Sequence, residues 1–181
     1  MNAVGVIELN SIARGIEVAD HMLKTSSVEL LEAKSICPGK YLILITGDVS
    51  AVESSVEVGL ELAKSFFVDY VVIPNVSDEV VYALRGIPDV EEFKAVGVLE
   101  FFSVTGAVYS ADAAVKTSDV DIASMRLGYA LGGKSFVILT GDLSAVEAAI
   151  ESGTRVGEEN GFMFNTSVIP SPDKALITKL V

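Results

Sequence analysis

Hydrophobic residues in the first half of the chain follow two periods, which together predict alternating strands and helices. Short apolar runs are typical of buried strands, whereas apolar positions three or four residues apart indicate one face of a helix. Ile12, Ile16 and Ala19 follow the helical spacing, and the almost entirely apolar run 41–46 predicts a strand buried on both faces. The predicted elements are, in order, a strand at 4–9, a helix at 12–24, strands at 28–33 and 41–46, a helix at 50–63 and a strand at 70–73 that Pro74 ends.

The same succession returns in the second half of the chain. The sequence AVGVIE at 3–8 returns as AVGVLE at 95–100, and TGDVSAVE at 46–53 returns as TGDLSAVE at 140–147. A repeat of about 90 residues is longer than the 20–50 residues of solenoid units and has the size of a small domain. We therefore predict two tandem domains, 1–90 and 91–181, with the turn-rich and charged segment 85–92 as the linker. The second copy is predicted to have strands at 96–101, 120–125, 135–140 and 164–169, and helices at 104–116 and 145–157.

The order of elements in each half indicates the fold. Strand, helix, strand, strand, helix, strand is the split βαββαβ arrangement, a ferredoxin-like sandwich of the α/β (α+β) class. Each half is small, so its own core is marginal. Half of all residues are nevertheless hydrophobic, and the mean hydropathy is +0.51. These values predict that further apolar surface is buried between the halves or between chains.

Composition excludes several classes of partner. Thirteen basic residues stand against 25 acidic ones, and this net charge of −12 argues against nucleic acid, which normally needs a basic patch. No run approaches the roughly 18 consecutive apolar residues that predict a membrane span, and no secretory signal opens the chain. The single cysteine, Cys37, allows no disulfide within the chain. We therefore expect a cytoplasmic protein with no membrane partner.

Two features imitate the machinery of enzymes. Residues 128–135 read GYALGGKS and match the phosphate-loop pattern G-x-x-x-x-G-K-[ST]. A phosphate loop needs a helix directly after its Lys-Ser, whereas here the predicted strand at 135–140 follows. The only histidine, His21, falls in the first helix with no serine or cysteine partner that suggests a triad. We therefore expect no nucleotide site and no enzymatic activity.

Charged residues also occupy equivalent places in the two halves. Glu8 and Glu100 end equivalent strands, and their repetition favours a structural role over a catalytic pair. Lys24 and Lys116 end the first helix of each half, where a lysine complements the helix dipole.

Cys37 differs from these residues because it stands where the halves diverge. It lies in the loop 35–40, SICPGK, and the second half has no cysteine and two more residues at this place. Divergent loops on a duplicated scaffold are where function tends to reside. A lone cysteine is most often a free structural thiol, and iron–sulfur clusters usually need about four thiolates. One chain cannot supply them, but three chains around a threefold axis could supply three.

Five features together resemble the bacterial microcompartment shell family. They are the A-x-G-x-[IL]-E opening, the A-D-x-x-x-K-[ST] helix end, the loop ending in Gly-Lys, the [TR]-G-D-[VL]-x-A-V helix start and the V-I-P ending, and they fall in order in both halves. Within this family, the chain is most similar to tandem, trimer-forming, iron–sulfur-binding shell proteins of propanediol-utilisation compartments.

The resemblance implies an assembly and a set of sites. Three chains would form a pseudohexameric ring of six domains, which tiles with other shell proteins in a microcompartment shell within the cytoplasm. One [4Fe–4S] cluster per trimer would be held by three Cys37 thiolates at the central pore. It would serve electron transfer with a lumenal or cytosolic redox protein, or cluster transport across the shell. The pore would be lined by Ser35, Ile36, Pro38, Gly39, Tyr129, Ala130, Leu131 and Gly132. Lys24 and Lys116 would make shell-edge contacts.

One departure from the family pattern bears on tiling. Many tiling shell proteins carry an arginine after the Ile-Pro of each half, and here those places hold Asn75 and Ser171. An alternative reading of the whole chain is a soluble ferredoxin-like ligand-binding or sensory module with an inert cysteine.

Overall fold

The computed structural model describes residues 2–87, 90 and 92–180, which form two compact units, Met1–Val76 and Ser77–Val181. In unit 1 the elements are β1 (Asn2–Leu9), α1 (Ile12–Thr25), β2 (Glu29–Ile36), β3 (Lys40–Asp48), α2 (Val49–Ala63), a 3₁₀ turn (Lys64–Phe66) and β4 (Phe67–Pro74). In unit 2 they are α3 (Asp78–Leu84), β5 (Ala95–Phe101), α4 (Val104–Thr117), β6 (Asp121–Leu127), β7 (Ser135–Gly141), α5 (Leu143–Glu159), β8 (Met163–Ile169) and α6 (Lys174–Leu180). No described helix is both long and apolar enough to cross a membrane.

Each unit contains one four-stranded antiparallel sheet, and the two sheets have the same topology. The strand order is β2-β3-β1-β4 in unit 1 and β6-β7-β5-β8 in unit 2. This is the predicted split βαββαβ arrangement, so the fold class is confirmed. The central strand β3 is buried at every position from Tyr41 to Thr46, which is why its sequence is a continuous apolar run rather than an alternating one.

The core of unit 1 lies between the sheet and the helices α1 and α2. Ile7, Ile43 and Ile45 of the sheet pack with Met22 of α1 and Val56 of α2, all within one buried cluster. Close approach of the layers depends on small residues in the helices. Gly15 in α1 faces the ring of Tyr41, and a Cβ atom at this position would lie 2.4 Å from the ring atom Cδ1.

Two short helices were not predicted from the sequence. α3 ends at Leu84, directly before the predicted linker 85–92, and α6 follows the last strand. Both have seven residues, which is shorter than the window in which a helical period can be recognised. Tertiary contacts stabilise α3, because its residues Val80 and Val81 are buried.

The domain boundary in the structure differs from the sequence-based one. The compact units divide between Val76 and Ser77, whereas the sequence places the boundary between 90 and 91. The difference arises because α3 packs against β6 and α4 of unit 2. Of the predicted linker, Pro88, Asp89 and Glu91 lie outside the described residues.

Replacing Gly15 by alanine tests the contact between α1 and the sheet. The added methyl group gains about 1 kcal/mol of helix propensity, but it must displace the Tyr41 ring in a filled core, which costs about 1–3 kcal/mol. We therefore expect Gly15→Ala to lower the free energy of unfolding by about 1 kcal/mol in urea denaturation. Ala13→Gly, at an exposed position of the same helix, measures propensity alone and should cost about 1 kcal/mol. A Gly15→Ala variant as stable as wild type would contradict the close packing.

Candidate functional site

Cys37 lies at the tip of the hairpin that joins β2 to β3. Ile36 pairs with Lys40, so the turn between the strands consists of Cys37, Pro38 and Gly39. The Cys37–Pro38 peptide bond is cis, and the Gly39 N–H donates a hydrogen bond of 3.0 Å to the Ile36 carbonyl. Gly39 has a φ of +89°, a left-handed conformation that favours glycine. The turn is thus defined by its backbone, and it leaves the Cys37 thiol partly exposed.

The predicted loop residues around Cys37 do not share one environment. Ser35 and Ile36 belong to the end of β2 rather than to the loop, because ladder pairing with β3 continues to Lys40. Ser35 is exposed and Ile36 is buried, while Pro38 and Gly39 are exposed in the turn. Three of the four therefore have surface that can meet another molecule, and Ile36 anchors the hairpin.

An ion pair fixes the base of this hairpin to the centre of the sheet. The Lys40 Nζ lies 3.0 Å from Oε2 of Glu8, and the side chain of Glu8 is only 1 % exposed. Glu8 stands near the end of the central strand β1, directly opposite Leu42 in β3. Buried carboxylates require a compensating charge or hydrogen bonds. Lys40 therefore links the hairpin that carries Cys37 to the core of unit 1.

The equivalent hairpin of unit 2 is longer and differently built. Five residues separate the paired Ser35 and Tyr41, whereas seven separate the equivalent pair Leu127 and Ser135, as predicted. Within this loop Tyr129 is 68 % exposed, Ala130 and Gly132 are exposed as well, and Leu131 is partly buried. Left-handed backbone occurs at Gly128, Ala130, Gly132 and Gly133.

The base of this second hairpin repeats the ion pair of the first. The Lys134 Nζ lies 3.0 Å from Oε1 of Glu100 and 3.5 Å from the ring centroid of Phe164. Glu100 is about one-third exposed, so this pair is more hydrated than the one between Lys40 and Glu8. Sequence analysis predicted a structural role for Glu8 and Glu100. Each of them pairs with the lysine of the Gly-Lys in its own half.

The geometry of residues 128–135 does not form a phosphate loop. Ser135 begins the strand β7, and its buried Oγ has no hydrogen-bond partner among the described residues. Lys134 is directed to Glu100 instead of into a cradle of backbone amides. With no helix after the Lys-Ser pair, the donors that hold a phosphate at a helix N-terminus are not provided here.

The described part of the chain holds no group of three His, Cys, Asp or Glu side chains that could bind a metal ion. His21 lies exposed in α1, where its backbone carbonyl accepts a hydrogen bond from Thr25. Cys37 is thus a single donor on a turn. Among the described residues, Cys37 belongs to no group of three or more such side chains.

The two helix-end lysines form equivalent ion pairs in unlike surroundings. Lys24 pairs with Asp20 at 2.5 Å, and both side chains are exposed. Lys116 pairs with Asp112 at 2.6 Å, but the carboxylate of Asp112 is buried, and its Oδ1 also accepts a hydrogen bond of 2.8 Å from the Ser77 N–H. Sequence analysis missed Asp112, although its repeat partner Asp20 marks the position. The missing information was the α3 segment that packs there.

Unit 2 also contains a cleft of about 330 Å³ that a small ligand could enter. Its wall includes Phe93, Leu143 and Ile177. At its rim, Lys94 Nζ and Asp142 Oδ1 lie 2.9 Å apart, and the hydrogen bond to this carboxylate raises the pKa of Lys94. These two charges at the rim are therefore paired with each other.

Comparisons with known proteins give consistent results for both halves. The BMC domain family matches residues 3–76 and again residues 95–172. The bacterial microcompartment shell protein PduT of Citrobacter freundii is 38% identical over 99% of this chain and 97% of its own length. The carboxysome shell protein CcmK2 of Synechocystis sp. is 32% identical, and 95% of its length corresponds to 51% of this chain. A crystal structure of a microcompartment protein from Desulfitobacterium hafniense DCB has a TM-score of 0.94 and 46% identity, and the match covers 98% of this chain and 99% of that one.

Lys40→Met and Lys134→Met form a matched pair of variants that test the two ion pairs. Lys40→Met removes the lysine from a carboxylate that water cannot reach, and we expect it to lower the free energy of unfolding by about 2 kcal/mol or more. Lys134→Met leaves Glu100 partly hydrated, and we expect a loss below about 1 kcal/mol. Chemical denaturation followed by circular dichroism measures both. Equal losses would show that burial of Glu8 does not set the strength of the first pair.

Proposed function

The chain belongs to the BMC domain family and is a structural shell protein of bacterial microcompartments, and we propose that three copies of it form a closed ring of six domains. The observation that carries this proposal is the duplication itself. A relative of single-domain length matches about half of this chain, whereas the two-domain relatives match it along its full length. A tandem chain can supply by covalent linkage what single-domain chains supply by association.

Exposed apolar side chains support association between chains. Ile12, Ile16 and Leu23 are exposed along α1, and Leu30 is exposed at the edge of the sheet in unit 1. A unit of this size buries too little apolar surface alone to be strongly stable. We propose that neighbouring copies cover these side chains in the ring. In the shell, the ring would contact other shell proteins, with Lys24 and Lys116 at its edges and a mechanical rather than a catalytic task.

We further propose that the ring carries one [4Fe–4S] cluster held by three Cys37 thiolates. One chain offers a single, partly exposed cysteine, and the described residues include no companion ligands. A cluster therefore fits here only if several chains share it. The hairpin is suited to holding a ligand in place, since strand pairing up to Ile36 and Lys40 and the Lys40–Glu8 ion pair fix its base. Such a cluster supplies one-electron transfer when bound. We propose electron transfer across the shell to or from a lumenal or cytosolic redox protein, with cluster transport as the alternative use.

A second candidate is a soluble binding module in which Cys37 is inert. The isolation of Cys37 from other metal-binding side chains within the described chain favours this reading. It requires neither a ring nor iron, so assembly state and iron content separate the two candidates.

The ring predicts the mass of the protein in solution. Light scattering after size exclusion should give three times the chain mass of 19.1 kDa, or larger sheets built from that species. Apolar contacts between small units should make this association strong at micromolar concentration. A stable monomer under these conditions would refute the ring.

The cluster predicts the properties of Cys37→Ser. Anaerobically prepared wild-type protein should contain four irons and four sulfides for every three chains and should absorb broadly in the visible range. Cys37→Ser should lose the iron, the sulfide and the absorption, because a serine hydroxyl is a poor iron–sulfur ligand, and it should keep the trimeric mass.

Ser35→Cys in the Cys37→Ser background is the matched control for the position of the thiol. It restores a cysteine two residues away, on the exposed end of β2, and we expect it not to restore the full cluster content. Iron retained by Cys37→Ser would exclude Cys37 as a ligand. One full cluster per chain in the wild type would rule out a shared site.

A further inference from the structure

The helix α6 repeats α3 in length and in position. Each helix has seven residues and begins four residues after the proline that ends or follows the last strand of the preceding half, Pro74 or Pro170. In this register Val80 of α3 corresponds to Leu176 of α6, and Val81 corresponds to Ile177. The two segments are therefore the same element of the duplicated domain.

The two helices differ in how much of their apolar surface is covered. α3 follows the last strand of the first half and packs against β6 and α4. Val80 is fully buried there, and the backbone N–H of Ser77 donates to the buried Asp112. Leu176, at the place of Val80, is 43 % exposed, and no residue of α6 is fully buried.

The equivalent surfaces of the two units also differ in burial: the one that α3 packs against is buried, and the one in unit 1 is exposed. In unit 2, Val104 and Val108 of α4 are fully buried and Ile122 of β6 is almost so. The equivalent residues of unit 1 are exposed: Ile12 and Ile16 in α1, with Ile16 at 55 %, and Leu30 in β2. Asp20, the equivalent of Asp112, is exposed too. In unit 1, therefore, no described helix covers this surface of α1 and β2 as α3 covers α4 and β6 in unit 2. The helix α6, in turn, lacks a surface like the one on which α3 packs.

We propose that α6 of one copy of this chain docks on the surface formed by α1 and β2 of a second copy. This docking rests on the ring of three chains proposed above and names the contact that closes it. Within a chain, α3 follows the last strand of the first copy of the repeat and packs on α4 and β6 inside unit 2. Between chains, α6 would pack in the same way on α1 and β2 in unit 1 of the neighbouring copy. The same head-to-tail contact is repeated, and such contacts generate closed rings when the rotation closes.

Two substitutions in α6 test the contact on the tail side. Leu176→Glu places a charge on the face that corresponds to the buried Val80, whereas Thr178→Glu places it at the equivalent of Tyr82, which is exposed in α3. We expect Leu176→Glu to raise the dissociation constant of the trimer at least about tenfold in sedimentation experiments. Thr178→Glu should leave the constant within about twofold of wild type. Both positions are exposed within the chain, so circular dichroism should show folded protein in each case.

The receiving surface is tested by Ile16→Glu, with Thr25→Glu as its control on the same helix. Thr25 and its equivalent Thr117 are both exposed, so we expect only Ile16→Glu to weaken the trimer. Mixing Leu176→Glu with Ile16→Glu then tests direction. The intact α6 of the second variant can dock on the intact surface of the first, so the mixture should contain paired chains that neither variant forms alone.

The outcomes separate the docking from the ring. A trimer that Leu176→Glu and Ile16→Glu leave as strong as wild type would refute the docking while the ring stands. The absence of paired chains in the mixture would refute the head-to-tail direction. A wild-type chain that never associates would refute the ring, and the docking with it.

Discussion

A domain of about 75 residues buries a smaller share of its apolar surface than a larger domain does, and this constraint determines much of the structure. In unit 1 the sheet and the inner faces of α1 and α2 are buried together, and the central strands are inaccessible to water. The outer face of α1 still exposes Ile12, Ile16 and Leu23. The equivalent helix of unit 2 is buried at the positions of Ile12 and Ile16. The comparison shows what an isolated copy of the fold lacks, and why association is the expected way to complete it.

The sequence predicted the elements that are long enough for their apolar period to be recognised. Both sheets, the four long helices, the repeat and the two-residue difference between the hairpins follow from apolar spacing and from internal similarity. α3 and α6 could not be predicted in this way, because a seven-residue helix has less than two full periods and its stability comes from what it packs against. The burial of Asp112 depends on α3 and was missed with it. The predicted loop at 35–40 was too long at both ends, since ladder pairing extends beyond the apolar runs, through Ser35 and Ile36 in β2 and to Lys40 in β3.

The site illustrates a second limit of sequence reasoning. Cys37 could be singled out because the halves diverge there, and the hairpin geometry shows how its position is fixed. The ligands that other chains would add in the proposed ring leave no trace in the pattern of one chain. Lys40 and Lys134 are the opposite case. A Gly-Lys in each loop and a glutamate in each neighbouring strand form a pair that the duplication displays twice, and the ion pairs connect them.

The anchored base shared by the two hairpins has a consequence for chemical variety. Strand pairing fixes each hairpin at one end and the lysine–glutamate pair fixes it at the other, so the residues between can change in number and type while the sheet stays the same. Six identical subunits around an axis can present only one loop, six times over. In the ring of three chains proposed above, a tandem chain would present two loops in strict alternation, three of each. Duplication thereby allows three equivalent side chains, rather than six, around the axis of a pseudohexameric ring. A set of three ligands becomes possible where identical subunits would impose six.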